Sequence, residues 1–307
     1  MRVSHHQHAA PGTGFVDPQV LARIDNLELL ARTVVDGFIN GLHRSPYLGL
    51  SLDFAEHRPY MPGDDIRRID WRLFARTDRY YVKEFEADTN ANFMVLLDVS
   101  RSMDFGSKGV TKLDYARFLG ASLSYFSSQQ RDRVGLITFD QEVVEFVPPS
   151  AKHLNVVLHT IDRIRPERPG QLGPALHHAA GALDRRGILV VISDLYEDPE
   201  SVLDALKPIR YGGHDVIVFH VLDPAEIEFP FDEAAPFEDL ETGQRIPVVP
   251  ATQRERYREL IRNHVGRLRK LLSDNRIDYT LFDTATPLDY ALFEYLSNRE
   301  HLMKKKR

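Results

Sequence analysis

The chain of 307 residues contains no cysteine. Disulfide staples, thiolate zinc sites and a cysteine nucleophile are therefore excluded, and a metal site must draw its ligands from elsewhere. Tryptophan is nearly absent too, with Trp71 alone. Positive charge is in deficit: 39 Lys and Arg stand against 45 Asp and Glu, a net charge of −6. Such a chain lacks the overall basic field of a nucleic-acid binder, and no nucleic-acid partner is expected. The one basic block, Lys304 to Arg307, reads as a solvated tail. Long apolar runs are missing as well. The longest, around Phe93–Val99, Ile188–Ile192 and Val216–Leu222, have the length of strands, well short of the ~18 residues of a membrane span. No apolar leader core precedes them. His5, His6 and His8 lie beside Pro11 and Gly12 in a segment read as disordered. A soluble, cytoplasmic protein is the expectation.

What is present is a folding pattern. Asp17 followed by Pro18 signals a helix start, and Leu21, Ile24, Leu27, Leu30, Ala31, Val34, Val35 and Phe38 recur at helical spacing, which predicts one helix. A charged, turn-rich segment follows from Gly41 to Glu86. Beyond it, apolar runs at Phe93–Asp98, Val134–Phe139, Gly187–Ser193, Asp215–Leu222 and Asp278–Phe282 alternate with helical stretches, and Glu142–Val147 makes a tight-turn partner for the second run. That alternation predicts an α/β fold, a doubly wound, mainly parallel sheet flanked by helices. The stretch 224–250 interrupts it and reads as a small β excursion, with Ile227–Phe229 and Phe237–Leu240 before a hairpin turn at Thr242-Gly243. The expected organisation is a disordered N-terminus over 1–14 and an N-terminal helix plus charged segment over 15–90, packed on the core. An α/β domain over 91–302 and a basic tail over 303–307 complete it.

In open parallel sheets, ligands sit beyond the carboxyl ends of the strands. Asp98, Ser100 and Ser102 follow the first long strand, and Ser193-Asp194 ends a later one. This oxygen-only set suits magnesium or manganese. The blander reading is that Asp98 and Ser100 cap a turn while Ser102 satisfies loop amides. Asp-x-Ser-x-Ser after an apolar strand resembles the metal-ion-dependent adhesion site of von Willebrand factor type A domains. The resemblance implies that Ser100 and Ser102 touch the cation, that Asp98 and Asp194 act largely through water, and that one metal position stays open for a partner's carboxylate. It also implies a threonine in the loop before the helix near Gly173. That loop reads Pro169-Gly170-Gln171-Leu172, with no hydroxyl, so a weakened, altered or vestigial site is expected. Gln171 or Glu167 could supply an oxygen instead. Thr111-x-x-Asp114 reads as a helix cap.

A longer set of motifs runs from Glu56-His-Arg58-x-Tyr60-x-Pro62-Gly63-Asp64-Asp65-x-Arg67-x-Ile69-Asp70-Trp71 through Ala75-Arg76 and Lys83–Glu86. It continues in Asp98–Met103, Asp132-x-Val-Gly135-Leu, Ser193-Asp194, Asp239-Leu-Glu-Thr-Gly243, Asp283-Thr284 and Leu296-Ser-x-Arg299. This resembles the domain-of-unknown-function 58 family, with its von Willebrand A-like core, over nearly all the chain after residue 40. Many members carry two N-terminal membrane helices, so the sequence resembles the short soluble form. The resemblance implies an adaptor or chaperone-like partner of a MoxR-type AAA+ ATPase, acting on a client protein. Arg58, Tyr60, Asp64, Asp65, Arg67, Asp70, Trp71 and Arg76 would form a docking face; the competing reading is an internal salt-bridge clamp with Trp71 as core anchor.

Enzyme readings fare less well. A strand ending in Asp98 lacks the second acid of haloacid-dehalogenase-type phosphatases, because Ser100 stands there. Gly106 to Lys112 misses phosphate-loop spacing, and neither a Gly-x-Ser-x-Gly elbow nor a His-Glu-x-x-His motif occurs. His177 and His178 are read as packing or surface residues. The alternative retained is a magnesium-dependent hydrolase or phosphatase using Asp98 and Asp194.

Overall fold

The structure is a computed structural model that describes residues 17–24, 26–44, 56–60, 71–84, 91–182 and 186–292. Asp17 caps α1 (Pro18–Leu21), its carboxylate accepting from the Gln19 N–H at 2.8 Å, with Pro18 in the first helical position. The single helix expected onward from there is broken. The chain leaves helix after Leu21 and re-enters as α2 (Leu27–Arg44), where Asn26 accepts from the Leu29 N–H at 2.9 Å. An Asn that satisfies an orphan amide starts a helix instead of continuing one. Next come β1 (Glu56–Pro59), α3 (Trp71–Thr77) and β2 (Tyr81–Glu84), with β1 and β2 forming a separate antiparallel pair.

The main body follows in chain order as β3 (Asn92–Asp98), α4 (Lys112–Gln129), β4 (Arg133–Phe139), β5 (Val143–Ser150), α5 (Leu154–Arg163), α6 (Leu172–Ala182), β6 (Gly187–Ser193), α7 (Pro199–Tyr211) and β7 (Asp215–Leu222). It continues with α8 (Pro224–Glu228), the hairpin β8 (Ala235–Glu238) and β9 (Arg245–Val248), then α9 (Pro250–Asp274) and β10 (Asp278–Asp283). Six strands join in the order β10-β7-β6-β3-β4-β5, all parallel except the antiparallel edge strand β5. The doubly wound, mainly parallel sheet is thus observed. Residues 288–292 are helical.

Period-two alternation explains why the central strands are continuously apolar. Phe93, Val95 and Leu97 of β3 pack with Leu30 and Val34 of α2, Ala116 and Leu119 of α4, and Val157 and Ile161 of α5. Met94 and Leu96, pointing the other way, pack with Leu172 and Leu176 of α6, Leu206 of α7, and Leu268 and Leu272 of α9. A strand buried on both faces needs apolar residues at every position.

The excursion over 224–250 departs from its reading in one respect. Ile227 lies in α8, not in a β segment, because Asp223 and Glu226 form a reciprocal capping box with Pro224 in the first turn. The hairpin itself is present, pairing Ala235 with Val248 and Glu238 with Arg245. Among the described residues no helix is long and apolar enough to cross a membrane.

Candidate functional site

The chain adds β4 and β5 on one side of β3, then crosses to place β6 on the other. The switch point therefore lies where β3 and β6 end, the place at which open parallel sheets bind ligands. Asp98 closes β3 and is 5% exposed. Its Oδ1 accepts from the Ser100 N–H at 2.9 Å and its Oδ2 accepts from the Ser193 hydroxyl at 2.6 Å, so the carboxylate stitches the two strand ends together. A 3-10 turn over Arg101–Asp104 brings the Ser102 hydroxyl to 3.1 Å from that of Ser100. Burial, and after it the negative charge of Asp194, pushes the Asp98 carboxyl up to about 7, against the opposing pull of the Ser100 and Ser193 hydrogen bonds.

Asp194 is just as buried, at 4% exposure, but has a cation of its own. Lys112, the first residue of α4, is completely buried, and its Nζ donates to Asp194 Oδ2 at 2.8 Å and to Glu226 Oε1 at 2.7 Å. The Tyr196 ring covers the ammonium at 4.9 Å from the ring centre. Burial alone would lower the lysine's affinity for its proton; the two carboxylates outweigh it and hold the group above its ordinary value. Thr111, expected as a cap, accepts from the Asp114 N–H at 3.0 Å while Asp114 accepts from the Thr111 N–H at 3.3 Å. That capping box fixes where α4 starts, and so aims Lys112 inward.

The loop without a hydroxyl comes up against the same crest. A Cβ built on Gly170 would lie 2.8 Å from Ser100 Cβ and 3.0 Å from its Oγ, so a threonine side chain has no room there with the loop in this position. The Gly170 N–H instead donates to Glu241 Oε2 at 2.8 Å, and the Ser102 N–H donates to Glu241 Oε1 at 2.8 Å. Glu241 arrives from the turn of the β8–β9 hairpin. Glu167, weighed as a substitute oxygen donor, offers its backbone carbonyl to Arg101 at 2.6 Å.

Of the four residues expected to hold a cation, the structure brings Asp98, Ser100 and Ser102 together. Asp194 stands at the same crest but is ion-paired. One carboxylate and two converging hydroxyls fit a hard divalent cation that keeps several waters. Asp194 does not fit as a direct ligand while Lys112 occupies it. Among the described residues, no group of three or more His, Asp or Glu side chains is placed to hold a metal ion. His220 is buried, with Nδ1 2.7 Å from the Tyr279 hydroxyl, and burial lowers its pKa to about 3.

Sequence reasoning missed Lys112 and Glu241 as site residues. Both carried a signal: Lys112 follows directly on the Thr111 cap, and Glu241 lies inside the Asp239–Gly243 motif. Of the expected docking face, Asp64, Asp65, Arg67 and Asp70 lie outside the described residues. Arg58 lies on β1, in register with Val82 of β2, and the Tyr60 ring packs edge-on to Tyr80 at 6.4 Å between centres. Trp71 begins α3, and Arg76 is exposed near its end.

The sequence profile of the family described as "Protein of unknown function DUF58" matches residues 56–267. The chain is 31% identical to the uncharacterized protein Rv1480 of Mycobacterium tuberculosis over 235 residues, which covers 74% of this chain and 73% of that one. The uncharacterized protein Mb1516 of Mycobacterium bovis matches to the same extent. Among solved structures, it is similar to the conserved hypothetical protein BatB from Bacteroides thetaiotaomicron, with 18% identity and a TM-score of 0.48 over 68% of this chain and 99% of that one. It is also similar to the vWF domain of the type V pili tip protein Mfa5 from Porphyromonas gingivalis, with 12% identity and a TM-score of 0.36 over 68% of this chain and 95% of that one.

Proposed function

The chain belongs to the family described as protein of unknown function DUF58, and we propose that it acts as a non-enzymatic protein-interaction module whose binding surface is the crest of a von Willebrand A-like sheet. The observation that carries this reading is the convergence of Asp98, Ser100 and Ser102 at the switch point, within hydrogen-bonding reach of one another and of the β6 terminus. Asp98 is buried without a cationic side chain among its hydrogen-bond partners, whereas Asp194 beside it has one. A magnesium or manganese ion held by Asp98, Ser100 and Ser102 would supply that missing charge and offer an open position to a partner. Asp194 would bear on the ion through its field, its side chain remaining with Lys112.

The partner carried over from the family resemblance is a MoxR-type AAA+ ATPase, with this chain as adaptor to a client protein. In that proposal the ATPase would be contacted by Arg58, Tyr60, Asp64, Asp65, Arg67, Asp70, Trp71 and Arg76, the residues that the family motif supplies. Hydrolysis through Asp98 and Asp194 has no observation in its favour, since both oxygens of Asp98 accept hydrogen bonds and Asp194 is paired with a lysine.

Two measurements test the reading. Calorimetry of the chelator-stripped protein with magnesium and manganese is expected to show one weak site, lost in Asp98→Ala. Affinity capture in the presence of a nonhydrolysable ATP analogue is expected to recover an AAA+ ATPase with the wild type and less with Asp98→Ala. A protein that binds neither cation and captures no ATPase overturns both halves of the proposal.

A further inference from the structure

The two hydrogen bonds received by Glu241 define a seat. Its donors are backbone amides from two loops far apart in sequence, Ser102 after β3 and Gly170 before α6, each 2.8 Å from a different oxygen of the same carboxylate. Two N–H groups converging on one carboxylate make a site for a negatively charged ligand whose donors need no deprotonation and no metal. The seat is held rigidly from behind. The Arg101 N–H donates to the Arg168 carbonyl at 2.8 Å and the Gln171 N–H to the Asp140 carbonyl at 2.9 Å, so both loops are pinned to each other and to the end of β4. Gly170 is indispensable to this approach, because any side chain there meets Ser100.

The occupant, in contrast, belongs to the periphery. β8 and β9 pair only with each other, outside the six-stranded sheet, and their residues are mostly exposed. The hairpin is anchored at its base, where Phe237 packs with Phe229 and Phe231 at 5.6 and 5.0 Å between ring centres. Its turn is preorganised to present the glutamate. Asp239 accepts from the Glu241 and Thr242 N–H groups at 2.9 and 3.3 Å, and Gly243 takes the left-handed φ of +70° that the turn requires.

We propose that Glu241 is an internal ligand of the crest: the β8–β9 hairpin plugs, in cis, a carboxylate seat formed by the Ser102 and Gly170 amides, and an acidic side chain of a partner takes that seat when the hairpin lifts. This rests on the reading of the crest as an interaction surface. The partner's chemistry follows from the occupant already there, a carboxylate on an extended, turn-presented segment. A tethered plug competes at an effective concentration of roughly millimolar, so a partner binds only if it offers more than one weak contact or if something pulls the hairpin away.

The test needs neither metal nor ATPase and is run with chelator present. Hydrogen exchange is measured on wild type, Glu241→Gln and Glu241→Ala. Gln is nearly isosteric and the hairpin is outside the core, so both variants are expected to fold, with the Tm recorded as a control. Exchange at Ser102 and Gly170 and across 235–248 is expected to rise at least tenfold in both variants. A synthetic peptide spanning residues 235–248 is then titrated in trans. It is expected to bind Glu241→Ala at least tenfold more tightly than wild type, and the same peptide carrying glutamine at 241 is expected not to bind. Unchanged exchange in the variants overturns the plug. Raised exchange without peptide binding overturns the exchangeable seat and leaves Glu241 a structural latch. Peptide binding alongside failure to capture any ATPase upholds this inference while sinking the adaptor reading.

Discussion

Asp98 closes β3 and Asp194 follows directly on the neighbouring β6; both are buried to almost the same degree, and the charge of Asp194 reaches the Asp98 carboxyl. Their environments nonetheless differ in kind. Asp194 has a buried ammonium at 2.8 Å, and the pair is shared with Glu226. Asp98 has only dipoles, an amide and a hydroxyl, and its carboxyl titrates near 7. One acid has its countercharge built into the chain; the other must take a proton or recruit a cation. A crest that was merely structural would gain by neutralising both in the same way. The asymmetry is what makes the Asp98 side, and not the Asp194 side, the place to look for binding.

The comparison breaks most visibly at Lys112. Replacing it with methionine removes the countercharge from the buried Asp194 and the half-buried Glu226. Breaking a buried pair from one side costs about 3–5 kcal/mol. Urea denaturation of Lys112→Met is expected to show a loss of that size, partly recovered in the double variant Lys112→Met/Asp194→Asn. A loss under about 1 kcal/mol would mean that Asp194 and Glu226 are satisfied by other groups.

An effect of comparable total size, spread over several pH units, is expected from the Asp98 carboxyl. The Asp98 carboxyl is raised from 3.8 to about 7 on folding, so the native state holds the proton more tightly than the unfolded one. The stability this contributes is fully present below the unfolded value and is lost as pH rises through the window from 3.8 to about 7. In chelator, wild type is expected to lose up to about 1.4 kcal/mol per pH unit across that window relative to Asp98→Asn. Parallel stability curves for the two proteins would show that Asp98 does not carry the strained charge.

Much of this fold was legible because its causes are local. The strands β3, β6 and β7 declare themselves by continuous apolar character, and Thr111 and Asp17 declare helix starts by the donors they satisfy. The one break in the N-terminal helix was hidden because Ile24 keeps the apolar rhythm through a turn, and rhythm alone does not register the cap that Asn26 provides. The site was half legible for a related reason. Asp98, Ser100 and Ser102 are close in sequence, so their convergence follows from one loop. Glu241 meets Ser102 across 139 positions and Gly170 across 71, and Lys112 meets Asp194 across 82. Contacts of that separation depend on how the hairpin and α4 dock on the sheet, which no periodicity encodes.

The gentlest way to sharpen the comparison is to add the cation itself. If Asp98 lacks a countercharge and Asp194 does not, a divalent ion should stabilise the protein only through the Asp98 side. Magnesium at tenfold its dissociation constant would contribute about 1.4 kcal/mol. The Tm of wild type at pH 8 is expected to rise accordingly, and the rise should shrink at pH 5, where the proton already occupies Asp98. Ser100→Ala/Ser102→Ala should lose the effect, because the hydroxyls supply the remaining protein oxygens. Glu226→Gln, which alters only the Lys112 side, should keep it. A magnesium response that survives the double serine change but disappears in Glu226→Gln would move the cation to the Asp194 side and reverse the assignment of the two acids.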